Sequence, residues 1–243
     1  MNAIPTEFPA TTHDTAGTTG AELDLQREAI AALGHELRAL VDATVRTAAP
    51  VEVLHRIADE VRLLRGQLTG RRRTRAEIPA VDEFPGEIRM YSPVTGAGSP
   101  LAPPMQVTAD SGGAVGRCTL GIAHEGPPGY GHGGMSAMLL DELMGRACIA
   151  AGLPGMTVSL QVRYRRPVPL ETPLWVHARV TGTEGRKVFV AGSISTEEDP
   201  STVVVTADGV FVSPDPDRAR ALFPSDPSVL RRQDGPDRDN LPD

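Results

Sequence analysis

Apolar residues recur at helical spacing through the first third of the chain. Leu25, Ile30, Leu33, Leu37, Leu40 and Val41 form one series, and Val53, Leu54, Ile57, Val61, Leu64 and Leu68 form a second. Pro50 stands between them and interrupts the pattern. A helical hairpin over about 21–69 is expected. From about residue 83 the texture changes to short alternating runs divided by Gly and Pro: "PMQVTA", "AVGRCTLGIA", "TVSLQVRYRR", "LWVHARVTGT", "KVFVAGSIS" and "TVVVTADGVFVS". In the third, Val158, Leu160, Val162 and Tyr164 are expected on one face, with Ser159, Gln161 and Arg163 on the other. Leu174, Val176, Ala178 and Val180 repeat the alternation, and "TEGRK" around Gly185 turns the chain into the next strand. The last three or four strands therefore read as an antiparallel meander. One long helix, about 132–151, interrupts the strands and ends at Gly152 and Pro154. It is apolar nearly all round, so it must be enclosed by the sheet on one side and by something else, such as a second subunit, on the other. The fold class expected is α+β, one helix against one antiparallel sheet.

Composition sets the boundaries around this core. With 243 residues, of which 40% are hydrophobic, the chain can bury one sizeable core and carry extensions. Residues 1–19 are rich in Thr, Ala, Gly and Pro and are expected to form a disordered tail. Residues 20–75 hold the helical hairpin and a basic linker, "RRRTR" at 71–75, read as a solvated joint. Residues 76–214 form the globular domain, and 215–243, rich in Asp, Pro and Arg, are mostly disordered. A net charge of -7 argues against nucleic acid as a partner. Two cysteines exclude a disulfide framework or a zinc site with four sulfur ligands. The first 20 residues lack an apolar leader core, and no stretch reaches the roughly 18 apolar residues of a membrane span. A cytoplasmic protein without stable membrane insertion is expected.

The chemistry concentrates at residues 124–157. Three charged residues interrupt the apolar helix, and charge in such a place must be paired or used. Glu142 and Arg146, four apart in the favourable order, can satisfy each other. Asp141 has no such partner in its helix. Upstream, "GPPGYGHGG" ends in His132, Gly133 and Gly134 at the helix start, where free amides suit an oxygen that gains negative charge during acyl transfer. Gly133 and Asp141 are eight residues apart, about 12 Å along one helix. If both act on one carbonyl, they come from two helices, antiparallel across a twofold axis. An obligate homodimer, or a dimer of dimers, is therefore expected. Gly129-x-Gly131-x-x-Gly134 matches the dinucleotide fingerprint in letters, but Pro127 and Pro128 stand where that motif needs a strand.

The segment "HGGMSAMLLDELMG" resembles the H-G-G-x6-D pattern of the hotdog-fold acyl-CoA thioesterases. "VRYRRPVPLETPLWVHARVTGTEGRKVFVAGSI" resembles the strand, turn and hairpin that follow it in the branch related to the carboxyl-terminal modulator protein. The likeness covers roughly residues 115–213 and implies a hotdog fold, an antiparallel sheet wrapped around one long central helix. It implies hydrolysis of acyl-CoA with no metal and no cofactor, coenzyme A being part of the substrate. Asp141 matches the family's general base or nucleophile, Gly133 the amide donor to the thioester oxygen, His132 a residue lining that hole, and Thr157 a hydroxyl that positions water. Gly134, Tyr130 and Met138 are expected to contact substrate, and the Met-rich helix suggests a medium or long fatty acyl chain. Many relatives carry Asn or Gln where this chain has Gly126. Two other readings stand beside hydrolysis: a non-hydrolytic acyl-CoA-binding scaffold, and a hotdog enoyl-thioester hydratase.

Overall fold

The computed structural model describes residues 19–70, 72–74, 77–83, 88–110 and 112–213. The tails expected at 1–19 and 215–243 lie outside the described residues, apart from Thr19. Of the basic linker, Arg72, Arg73 and Thr74 are described and exposed, with the Arg73 guanidinium 5.7 Å from the centre of the Tyr91 ring.

Two helices precede the strands, α1 at Gly20–Arg46 and α2 at Val51–Gln67. Thr19 and Glu22 open α1 with a reciprocal capping box. Pro50 is the N-cap of α2, so the break falls where proline predicts it. α1 lies against the body of the protein: Arg27 donates to Val81 O at 2.9 Å, and Arg38 to Ala97 O at 2.7 Å and Ser99 O at 2.8 Å. Its last turn reaches the β-region through an ion pair of Arg46 with Glu171. Among the described residues α2 shares no packed face with α1 or any other element, and none of its residues is buried. Helical periodicity announces an apolar face without saying what covers it.

The rest is β1 (Gln106–Asp110), β2 (Gly113–Thr119), α3 (Gly133–Ala150), β3 (Met156–Tyr164), β4 (Pro173–Glu184), β5 (Lys187–Thr196) and β6 (Val205–Val212). All pairings are antiparallel, in the order β1-β2-β4-β5-β6-β3. The meander therefore comprises β4, β5 and β6. β3 is placed beyond β6 at the sheet edge, because α3 carries the chain across the sheet before β3 begins.

The sheet wraps α3, as expected of a hotdog layout. Leu139, Leu140, Leu143 and Met144 are 0% exposed, each contributing about 2 kcal/mol by burial. The Met144 side chain lies against Gly192 of β5 and Gly209 of β6, where any side chain would collide with it. Those two glycines let the helix settle into the sheet. The opposite ridge of α3, through Gly134, Met138, Asp141, Gly145 and Ile149, is not buried. Gly152, with φ at 73°, ends the helix in the left-handed region.

One strand departs from strict alternation. Thr157 pairs with Phe211 and Ser159 with Val210, leaving Val158 as the extra residue of a bulge. Val158, expected beside Leu160, is instead 61% exposed. Thr157 takes the inward place opposite buried Phe211, which faces it toward α3.

Candidate active site

Two groups of side chains lie along the less buried ridge of α3, one at its first turn and one at its middle. At the first, His132 is the N-cap: its backbone is extended and Nδ1 accepts the Gly134 N–H at 3.0 Å. In a neutral ring that bond leaves the proton on Nε2. His132 thus holds the first helical turn, and the Gly134 amide is engaged by it. The Gly133 N–H has no partner among the described residues and lies in the first turn, where the aligned peptide dipoles favour negative charge. Tyr164, at the end of β3, donates its hydroxyl to Gly133 O at 2.9 Å, and its ring stands against Gly133. Sequence reasoning missed this residue as part of the site. Its inward place in the alternation was legible; its reach to the helix start was not.

At the second group, Thr157 Oγ1 donates to Asp141 Oδ1 at 2.8 Å. Asp141 is half-buried, and Glu142 beside it is occupied by Arg146 at 3.1 Å, as expected. The structure therefore brings together Asp141 and Thr157, and separately His132, Gly133 and Gly134. Tyr130, 44% exposed, sits on the rim loop, bridged to Pro169. Met138 is half-buried against the core.

Gly126 has a geometric cause. Its N–H donates to Tyr130 O at 2.9 Å, and a Cβ placed on it would lie 2.7 Å from His132 Cα. The loop passes so close to the helix start that no side chain fits. Next to it, Glu125 Oε1 accepts the Gly129 N–H at 2.7 Å and closes the loop.

A cavity of about 340 Å³ lies between β1, β2 and the C-terminal half of α3, lined by Met90, Met105, Val107, Arg146 and Ile149 among others. None of His132, Gly133, Gly134, Asp141, Thr157 and Tyr164 lines it, so it does not mark the reacting centre. Burial pushes the Cys118 thiol up to about 12 and that of Cys148 to about 11, which removes both as nucleophiles near neutral pH. Among the described residues no three His, Cys, Asp or Glu side chains are grouped to hold a metal, and no helix is long and apolar enough to cross a membrane.

A crystal structure of a thioesterase superfamily protein is 37% identical to this chain, with a TM-score of 0.65 and coverage of 75% of this chain and 94% of that one. This chain belongs to the thioesterase superfamily. The fold is the hotdog expected from the helix motif. The family model described as "Thioesterase superfamily" matches residues 128–203, a span that includes Gly133, Asp141 and Thr157. Acyl-coenzyme A thioesterase THEM4 of Mus musculus is 34% identical over 98 residues, covering 40% of this chain and 42% of that protein. Acyl-coenzyme A thioesterase THEM5 of Homo sapiens is 31% identical over 88 residues, 36% of this chain and 35% of that protein. The matches span less than half the length of these two relatives.

Proposed function

We propose that this chain hydrolyses the thioester of an acyl-CoA, with a medium or long fatty acyl chain as the preferred substrate, to a free acid and CoA. The observation that carries the reading is the hydrogen bond from Thr157 to half-buried Asp141 on a helix whose first amide, at Gly133, has no partner among the described residues. Because the Thr157 proton is donated to Asp141, its lone pairs are open to accept a hydrogen bond from water. That water is positioned beside the carboxylate. Asp141 takes a proton from it as the oxygen attacks the thioester carbon, and the carbonyl oxygen gains charge beside the Gly133 amide. Collapse breaks the C–S bond, and the CoA thiolate takes the proton from Asp141.

Within one chain these groups lie about 12 Å apart along α3, so the reading requires two chains. Two features favour this assembly. The ridge of α3 that bears Asp141 has glycines on either side of it, Gly134 and Gly145, which permit close approach of a second helix. β3 is an edge strand with one flank unpaired, and Met156 and Val158 are 51% and 61% exposed. An antiparallel α3 pair places Gly133 of each chain beside Asp141 of the other.

Free-thiol release from a panel of acyl-CoAs of increasing chain length tests the activity. Asp141→Asn is expected to keep the assembly and to lower turnover by about 10³-fold. Turnover equal to wild type would remove Asp141 from the mechanism.

A further inference from the structure

Helix α2 and its C-cap carry Leu54, Ile57, Val61, Leu64 and Leu68, spaced alternately three and four residues apart. Their exposure runs from 38% at Ile57 to 65% at Leu68, and among the described residues no other helix or strand packs on them. A three-four alternation averages 3.5 residues, the period at which two helices keep a single seam in contact by supercoiling. Five such residues in one stripe differ from the scattered apolar side chains of an ordinary surface.

The flanks of the stripe say what covers it. Glu60 and Arg65 border the seam on opposite sides, five residues apart. Both are exposed, and neither makes an ion pair or side-chain hydrogen bond among the described residues. In two parallel helices in register, the residue at Glu60's position lies beside the residue five further along the other helix, which is Arg65. The twofold repeats the contact, giving two opposite-charge pairs. The remaining flanking positions, Val53, Ala58 and Gln67, are uncharged and oppose nothing. In an antiparallel pair, flanks of the same side meet: Glu60 faces Gln67 or Val53, Arg65 faces Ala58, and no charge pair forms.

We propose that α2 docks in parallel and in register on α2 of a second copy of this chain, through Leu54, Ile57, Val61, Leu64 and Leu68, with Glu60 and Arg65 of the two copies paired across the seam. This interface is distinct from the α3 ridge and the β3 edge, and it does not depend on thioester hydrolysis.

Leu54→Cys in the full chain, mildly oxidised at neutral pH, tests the register, since the native thiols are sheltered by burial. A parallel seam puts the two introduced thiols together, and a covalent dimer is the expected product. If Leu54→Cys fails to link to itself but links to Leu68→Cys in a mixture, the helices are antiparallel and the proposal falls. Linking in neither case overturns it as well. Glu60→Arg and Arg65→Glu singly are each expected to lower the yield of the linked dimer at fixed concentration by about tenfold, and the double exchange to restore it. A yield indifferent to these charges contradicts the seam. All the substituted side chains are exposed, so the fold is not at stake.

Discussion

The hydroxyl of Thr157 has a single proton to donate, and it goes to Asp141. Thr157→Val keeps the shape of the side chain and removes the donor. Hydrogen bonds to a charged acceptor contribute about 1.5–3 kcal/mol, so kcat is expected to fall roughly 10- to 100-fold with KM little changed, while Thr157→Ser stays close to wild type. A rise in KM at unchanged kcat would instead make Thr157 a substrate contact. The cysteines are a second matter at this scale. Burial raises Cys118 and Cys148 from 9.0 to about 12 and about 11, so the unfolded chain loses these protons first as the pH rises. Between about 9 and 11 the folded state binds more protons than the unfolded one, and stability falls with rising pH. The urea midpoint is expected to drop between pH 8 and pH 10.5, and to drop less in Cys118→Ala/Cys148→Ala; equal losses would assign the slope to other groups.

Elements show where the sequence speaks and where it is silent. The long helix was legible from its Gly start, its apolar body and its Gly152 stop, and so were the place of Asp141 on it and the Glu142–Arg146 pair. Alternation placed Leu160, Val162 and Tyr164 correctly and Val158 wrongly, because a bulge adds one residue without leaving any mark in composition. The same bulge gives Thr157 its inward aspect; strict alternation would have turned it away from the helix. The ridge of α3 offers a test at this level. A Cβ on Gly145 would have its nearest neighbour, Phe211, 3.9 Å away, so an added side chain starts from ordinary van der Waals contact within one chain. Gly145→Leu, made in a chain that also carries Glu60→Arg to weaken the α2 seam, is expected to leave the thermal transition of the chain intact while abolishing both the α3-mediated association, read by sedimentation, and turnover. An active monomer in this variant would disprove the two-chain site.

For the whole molecule, the fold class was readable and the neighbours were not. Periodicity fixes which face of a strand or helix is apolar, but the order of strands depends on how α3 crosses the sheet, and that is a matter of three-dimensional length and hand. The two N-terminal helices and the break at Pro50 were legible, but what each packs against was not, for the same reason: two apolar faces in one chain need not meet each other when other partners exist. α1 meets the body of the protein through backbone acceptors at Val81, Ala97 and Ser99, which no apolar pattern announces. Gly126 is the converse case. From sequence it reads as a missing amide, and in space it is the gap that lets the rim loop touch the helix start.

The bond from Tyr164 to Gly133 O ties the end of an edge strand to the first turn of the helix. If that strand meets its counterpart when two chains associate, the position of the Gly133 amide is adjusted by the same event that delivers Asp141. On the two-chain reading no separate off-switch is needed: scarce chains would stay separate and silent, and rate per chain would climb with abundance until every chain has found a mate.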